Sequence, residues 1–247
     1  MKITSRDFYR EMRGALAAQM KVAGFSSLKG DQAGWQRPAG QGVLALWFQC
    51  DKWGWEPVWG SRFNLEFSLR EAEGGAGVPA APGRAGQSER LGFLVEGCAE
   101  MEELRLLNNA VIARLPGTRE GKLVLGRLRD GREYVMQGCR ADPAPFEVGF
   151  DYWLGYHSLE DVRAWAAWFA AKMPRLVGMF ESGERSELGQ GRRRFDRVIG
   201  AAQALPDGDA AGKLALFEAY QREEPNPYWK SVAGYWIGEF RAKAGAA

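Results

Sequence analysis

Arg62-Phe63-Asn64-Leu65-Glu66-Phe67-Ser68-Leu69 is the stretch that decides the fold class. Polar and apolar residues alternate here without a break, so a strand places Phe63, Leu65, Phe67 and Leu69 on one face and polar groups on the other. A helix of the same residues would scatter those side chains around its axis. The stretch reads as a half-buried strand, the kind an antiparallel sheet with one covered face requires.

Working upstream, Val43-Leu44-Ala45-Leu46-Trp47-Phe48-Gln49 and Trp35-Gln36-Arg37 are short, aromatic and branched. With Gly30, Gly34, Pro38, Gly40 and Gly42 as punctuation, they form a hairpin. Before them, Thr4 and Asp7 have capping-box spacing. Phe8, Met12, Ala15, Leu16 and Ala23 follow at helical intervals, predicting a helix over 5–23 that Gly24 stops.

Downstream, 73–88 is rich in small residues and proline, has no period, and reads as a flexible loop. Met101, Leu104, Leu107, Val111 and Ile112 predict a helix over 99–114. Lys122-Leu123-Val124-Leu125-Gly126-Arg127-Leu128 and Tyr134-Val135-Met136 flank Asp130-Gly131, a hairpin turn signal. Phe146 to Leu154 alternates as a last strand. Ser158 and Asp161 form a second capping box, opening a long amphipathic helix through Val162, Phe169, Met173, Leu176 and Phe180. Three shorter helices fill 186–244, broken at Leu205-Pro206-Asp207-Gly208 and Glu224-Pro225-Asn226-Pro227. The expectation is an α+β fold: an antiparallel sheet of about six strands, packed by the N-terminal helix and by the long helix after the last strand. It assigns 1–183 to the core domain and 184–247 to a C-terminal helical extension packed on it.

Composition excludes several classes. The chain of 247 residues is 46% hydrophobic and 26% charged, a globular balance. Lys plus Arg exceed Asp plus Glu by only 33 to 31, so no global charge names nucleic acid or a membrane as partner. No secretory leader or membrane span is legible, and a cytoplasmic protein is expected. Cys50, Cys98 and Cys139 are odd in number and unpatterned, as reduced thiols would be.

Chemistry is sparse. A single histidine, His157, removes the paired-histidine metal templates, and neither a phosphate-binding Gly-x-x-x-x-Gly-Lys loop nor a dinucleotide fingerprint occurs. No metal, cofactor or catalytic residue is assigned. Asp151, set among aromatic neighbours, is a carboxylate that burial could tune for acid or base work, or that could pair with an arginine such as Arg37.

Two features suit a partner instead. Four of the ten tryptophans, Trp47, Trp53, Trp55 and Trp59, fall in one short stretch. Trp53, Trp55 and Trp59 lie in a loop between strands, where their rings either fold back over the sheet or face a protein partner. Arg185, Arg192, Arg193, Arg194 and Arg197 form a basic cluster able to take phosphates of a nucleic acid.

The Gly24-Phe25 helix end, Trp35-Gln36-Arg37, the Phe63-Asn64-Leu65 strand and the Tyr152-Trp153 pair before the Ser158-to-Phe180 helix resemble a bacterial family known only as a domain of unknown function. The resemblance spans about 6–70 and 145–181. It implies a small cytosolic α+β protein, in some members encoded near toxin-immunity and defence genes, with no catalytic residue to carry over. Three functions therefore stand in order. First is a non-enzymatic interaction module, an immunity protein or defence accessory meeting a toxin or defence component through Trp53, Trp55 and Trp59. Second is nucleic-acid binding by the arginine cluster. Third is an enzyme built on Asp151.

Overall fold

The structure is a computed structural model that describes residues 2–40, 42–71, 87–116, 118–119, 122–127, 133–136 and 153–244. The chain divides into two compact units: described residues of 2–94, 102–136 and 153–182 form one, and 95–101 with 183–244 form the other.

The first unit begins with α1 (Ser5–Val22). The Thr4 hydroxyl accepts the Asp7 N–H at 3.2 Å while the Thr4 N–H donates to the Asp7 carboxylate at 3.1 Å, so the capping box forms as its spacing predicts. At the other end Gly24 adopts a positive φ of 81°, and Gly24 and Phe25 donate back to Lys21 and Met20, closing the helix as a Schellman motif does. Phe8, Met12, Leu16 and Met20 face the core.

After β1 (Ser26–Ser27), β2 (Gly34–Ala39) and β3 (Gly42–Cys50) make the expected hairpin, and β4 (Ser61–Glu71) pairs with β3 along its length. β5 (Gln87–Arg90) corrects the end of the expected 73–88 loop, whose residues to 86 lie outside the described ones, and it runs into α2 (Leu91–Leu94), which is followed by α3 (Ala99–Ala113). β6 (Thr118–Arg119), β7 (Lys122–Arg127) and β8 (Glu133–Met136) form a separate three-stranded sheet. β9 (Leu154–Tyr156) precedes α4 (Leu159–Ser182). The main sheet has the order β1-β2-β3-β4-β5, with β9 beside β5 on the free edge of β4, and every pairing is antiparallel. The last strand thus pairs at 154–156, and 146–152 lie outside the described residues.

Phe63, Leu65 and Phe67 share one face of β4 and are fully buried. Rings from two helices cover them: Phe8 of α1 lies 4.6 Å from Phe63, and Trp165 and Phe180 of α4 lie 5.6 Å from Phe63 and 5.4 Å from Phe67. The expectation of a half-buried strand needs correction, because Asn64 and Ser68, on the opposite face, are buried too. Period two says which residues share a face, not whether the other face is covered. Between the stretches of β4 paired with β9 and β5, the Leu65 N–H turns to the Asn64 side chain at 2.8 Å.

β9 has a closed outer edge. The Gly155 N–H donates to the Asn108 amide oxygen of α3 at 2.7 Å, and the Gly155 carbonyl accepts the Trp165 indole N–H at 2.8 Å. Side chains thereby satisfy an edge that would otherwise leave buried backbone groups unmatched.

In the second unit α5 (Glu187–Ala204), α6 (Ala210–Glu223) and α7 (Pro227–Ala244) enclose a core of Phe195, Phe217, Tyr220, Trp229, Val232 and Ile237. Trp229 crosses α5 at Gly191, where a Cβ would come within 2.1 Å of the ring, and its indole N–H donates to the Leu188 carbonyl at 2.7 Å. Ser186 caps α5 by accepting the Gly189 N–H, and Asp209 caps α6 by accepting the Gly212 N–H.

Candidate interaction site

Residues 51–60 join β3 to β4, and their backbone is held at three levels. At the base, buried Asp51 accepts from Nε of Arg62 at 3.0 Å and also from its Nη2, a two-pronged ion pair between the ends of the flanking strands. The other Asp51 oxygen accepts the Trp53 N–H at 3.2 Å, the local turn that aspartate favours, and Gly54 follows with a φ of 75°. In the second half of the loop, Glu56 and Gly60 exchange both backbone hydrogen bonds, at 2.7 and 2.8 Å.

Gly60 is required there on two grounds. Its φ is 73°, and a Cβ would stand 2.1 Å from the Tyr156 carbonyl oxygen.

The three loop tryptophans meet different fates. Trp59 packs on Ile112 and Leu115, with the Arg62 guanidinium 5.7 Å from its ring and the same distance from Trp153. Trp55 is half-buried; its indole N–H donates to the His157 carbonyl at 3.0 Å and its ring lies 5.2 Å from the imidazole. Trp53 stays 70% exposed, with the Lys52 ammonium 4.9 Å from its ring, and Val58 is also exposed.

His157, the connector to α4, bonds Pro57 O through Nε2 at 2.9 Å, so Nε2 carries the hydrogen. The second predicted capping box forms beside it: Asp161 accepts the His157 and Ser158 N–H groups, both at 2.9 Å, and the Ser158 hydroxyl accepts the Asp161 N–H at 3.1 Å. Burial pushes the Asp161 carboxyl up, but those amides and Arg114, 2.6 Å away, outweigh it and hold the group below its ordinary value. Asp161 is therefore a fixed anion at a helix N-terminus, which suits capping and not proton transfer.

Cys50, at the end of β3, is not poised as a nucleophile. Its N–H donates to the Tyr9 hydroxyl at 3.1 Å, the Tyr156 hydroxyl lies 3.9 Å from Sγ, and burial pushes the thiol up to about 11.

The arginine cluster is largely turned to structural use. Arg185 and Arg192 are buried, and Arg192 bonds Asp196 at 2.8 Å. Arg194 makes two bonds of 2.7 Å to Glu224, a carboxylate that this guanidinium holds below its ordinary value and that also accepts the Asn226 N–H. Arg193 is half-buried and Arg197 exposed. Asp151 and Cys139 lie outside the described residues; Arg37, considered as a partner for Asp151, bonds Glu181 at 2.6 Å and the Ala23 carbonyl at 2.9 Å.

Among the described residues, no three His, Cys, Asp or Glu side chains converge to hold a metal, and no helix is long and apolar enough to cross a membrane. The loop's scaffold of Asp51, Arg62 and His157 has only a faint sequence signal, an aspartate ahead of a glycine-punctuated loop, since Arg62 reaches Asp51 from across the loop and His157 comes from the α4 cap, far along the chain. No family model, curated protein or solved structure matches the chain.

Proposed function

We propose that this chain is a protein-interaction module whose contact surface is centred on Trp53. The observation that carries the reading is an indole left 70% exposed on a loop whose backbone is clamped by the Asp51–Arg62 pair, the Glu56–Gly60 bridge and the His157 contacts. Exposed tryptophans are disproportionately binding anchors, and a loop ordered before it meets its partner loses less entropy on binding. Trp55 and Trp59 serve this surface by holding the loop, and Val58 adds apolar area beside them in sequence. The resemblance stated above gives the module its specific form, an immunity protein or defence accessory that engages a toxin or a defence component.

The test is capture of a stoichiometric, nuclease-resistant partner from the native host, followed by measurement of its affinity for wild type and Trp53→Ala. The expected loss is about 2 kcal/mol, roughly 30-fold, with folding unchanged. A partner held equally well by Trp53→Ala and Val58→Ala would place the contact elsewhere and defeat the proposal.

A further inference from the structure

The loop and the N-terminus of α4 are tied together through one residue. The His157 backbone N–H belongs to the helix cap, donating to Asp161; its carbonyl belongs to the loop, accepting from the Trp55 indole; its ring also belongs to the loop, donating to Pro57 O. Beside it, Gly60 approaches so closely that a Cβ would lie 2.9 Å from the His157 Cα. Fixing His157 in the cap therefore orders the acceptor and the donor that the loop needs. Fixing the loop likewise removes the freedom of the residue that begins the cap.

We propose that residues 51–60 and the α4 cap form a single conformational unit latched by His157, opening and closing together. If Trp53 is the contact proposed above, a partner that holds the loop closed also protects the start of α4 from opening, and by linkage the cap sets how readily the loop is occupied. Only that consequence rests on the interaction reading. The latch itself is a property of the free chain.

Native-state amide hydrogen exchange on the full chain tests it without a partner. His157→Ala keeps the backbone N–H and C=O and removes only the ring, so no hydrogen bond of the cap itself is deleted. The expected result is exchange about tenfold faster at Glu56 and Gly60 and also at Ser158, Asp161 and Val162, while amides of Leu46 and Phe67 in the sheet keep their wild-type rates. His157→Gln, which retains an N–H donor on a side chain of similar reach, restores most of the protection. Trp55→Phe, a milder change made from the loop side, also speeds exchange at the cap.

Faster exchange in the loop with an unchanged cap, in either His157→Ala or Trp55→Phe, would overturn the proposal. So would equal acceleration throughout the sheet, because the loop and cap would then have no opening of their own. Neither result touches the Trp53 affinity measurement, so the two proposals fail separately.

Discussion

Trp53 and Trp229 are the same residue in opposite situations. Trp229 sits in α7, where the helical period aims it at α5, Gly191 removes the Cβ that would block it, and Leu188 takes its indole N–H. Trp53 sits in a turn whose hydrogen bonds fix the backbone and leave the ring outside. Burial of tryptophan is thus decided by the backbone that carries it and by the space opposite, not by its hydrophobicity. The arginines repeat the lesson: Arg194 is drawn into a pair with the buried Glu224 carboxylate, while Arg197, three residues on, stays in solvent.

The comparison breaks most readily at Trp229. Trp229→Ala removes a fully buried ring that Gly191 cannot refill and should cost about 4 kcal/mol in urea unfolding. Equal losses for Trp229→Ala and Trp53→Ala would erase the distinction. Gly60→Ala comes next, at about 3 kcal/mol, because the new methyl meets the Tyr156 backbone and the positive φ strains any L side chain. Gly191→Ala, strained only by collision with a ring, should cost less, about 2 kcal/mol on the same measurement.

Arg194→Ala leaves the Glu224 carboxylate buried without its guanidinium. A fully buried pair would lose more, but Arg194 is about one-third exposed, so the expected cost is about 2 kcal/mol. The pH dependence has a definite sign. Glu224 titrates below its ordinary 4.5 in the folded chain, so its contribution is complete above that pH and is lost as pH falls through the lower folded value. Glu224→Gln should flatten the fall in urea midpoint over that acidic range; an unchanged slope would show that the pair carries none of it. Smallest of all is Trp53→Ala, whose effect on stability should stay within about 0.5 kcal/mol. A larger loss would mean that the ring supports the loop.

Much of the architecture is legible because its causes are local. The α1 and α4 caps follow from residues three apart, the β2–β3 hairpin from glycine punctuation, and the three C-terminal helices from their proline-marked breaks. β5 escapes notice: Gln87-Ser88-Glu89-Arg90 has no alternation, and it is a strand because the edge of β4 offers it hydrogen bonds. For the candidate site, the aromatic loop is visible in the sequence, but nothing local says which of its three rings remains outside.

What the sequence determined by itself is what neighbours along the chain can settle: the two periods that separate strands from helices, and the capping boxes at Thr4 and Ser158. Only the tertiary structure decided the rest. The Trp55–His157 bond spans 102 residues and the Arg194–Glu224 pair 30. Contacts of that separation depend on where the folded backbone brings two surfaces together, and on whether a glycine leaves them room, which no window of local sequence contains.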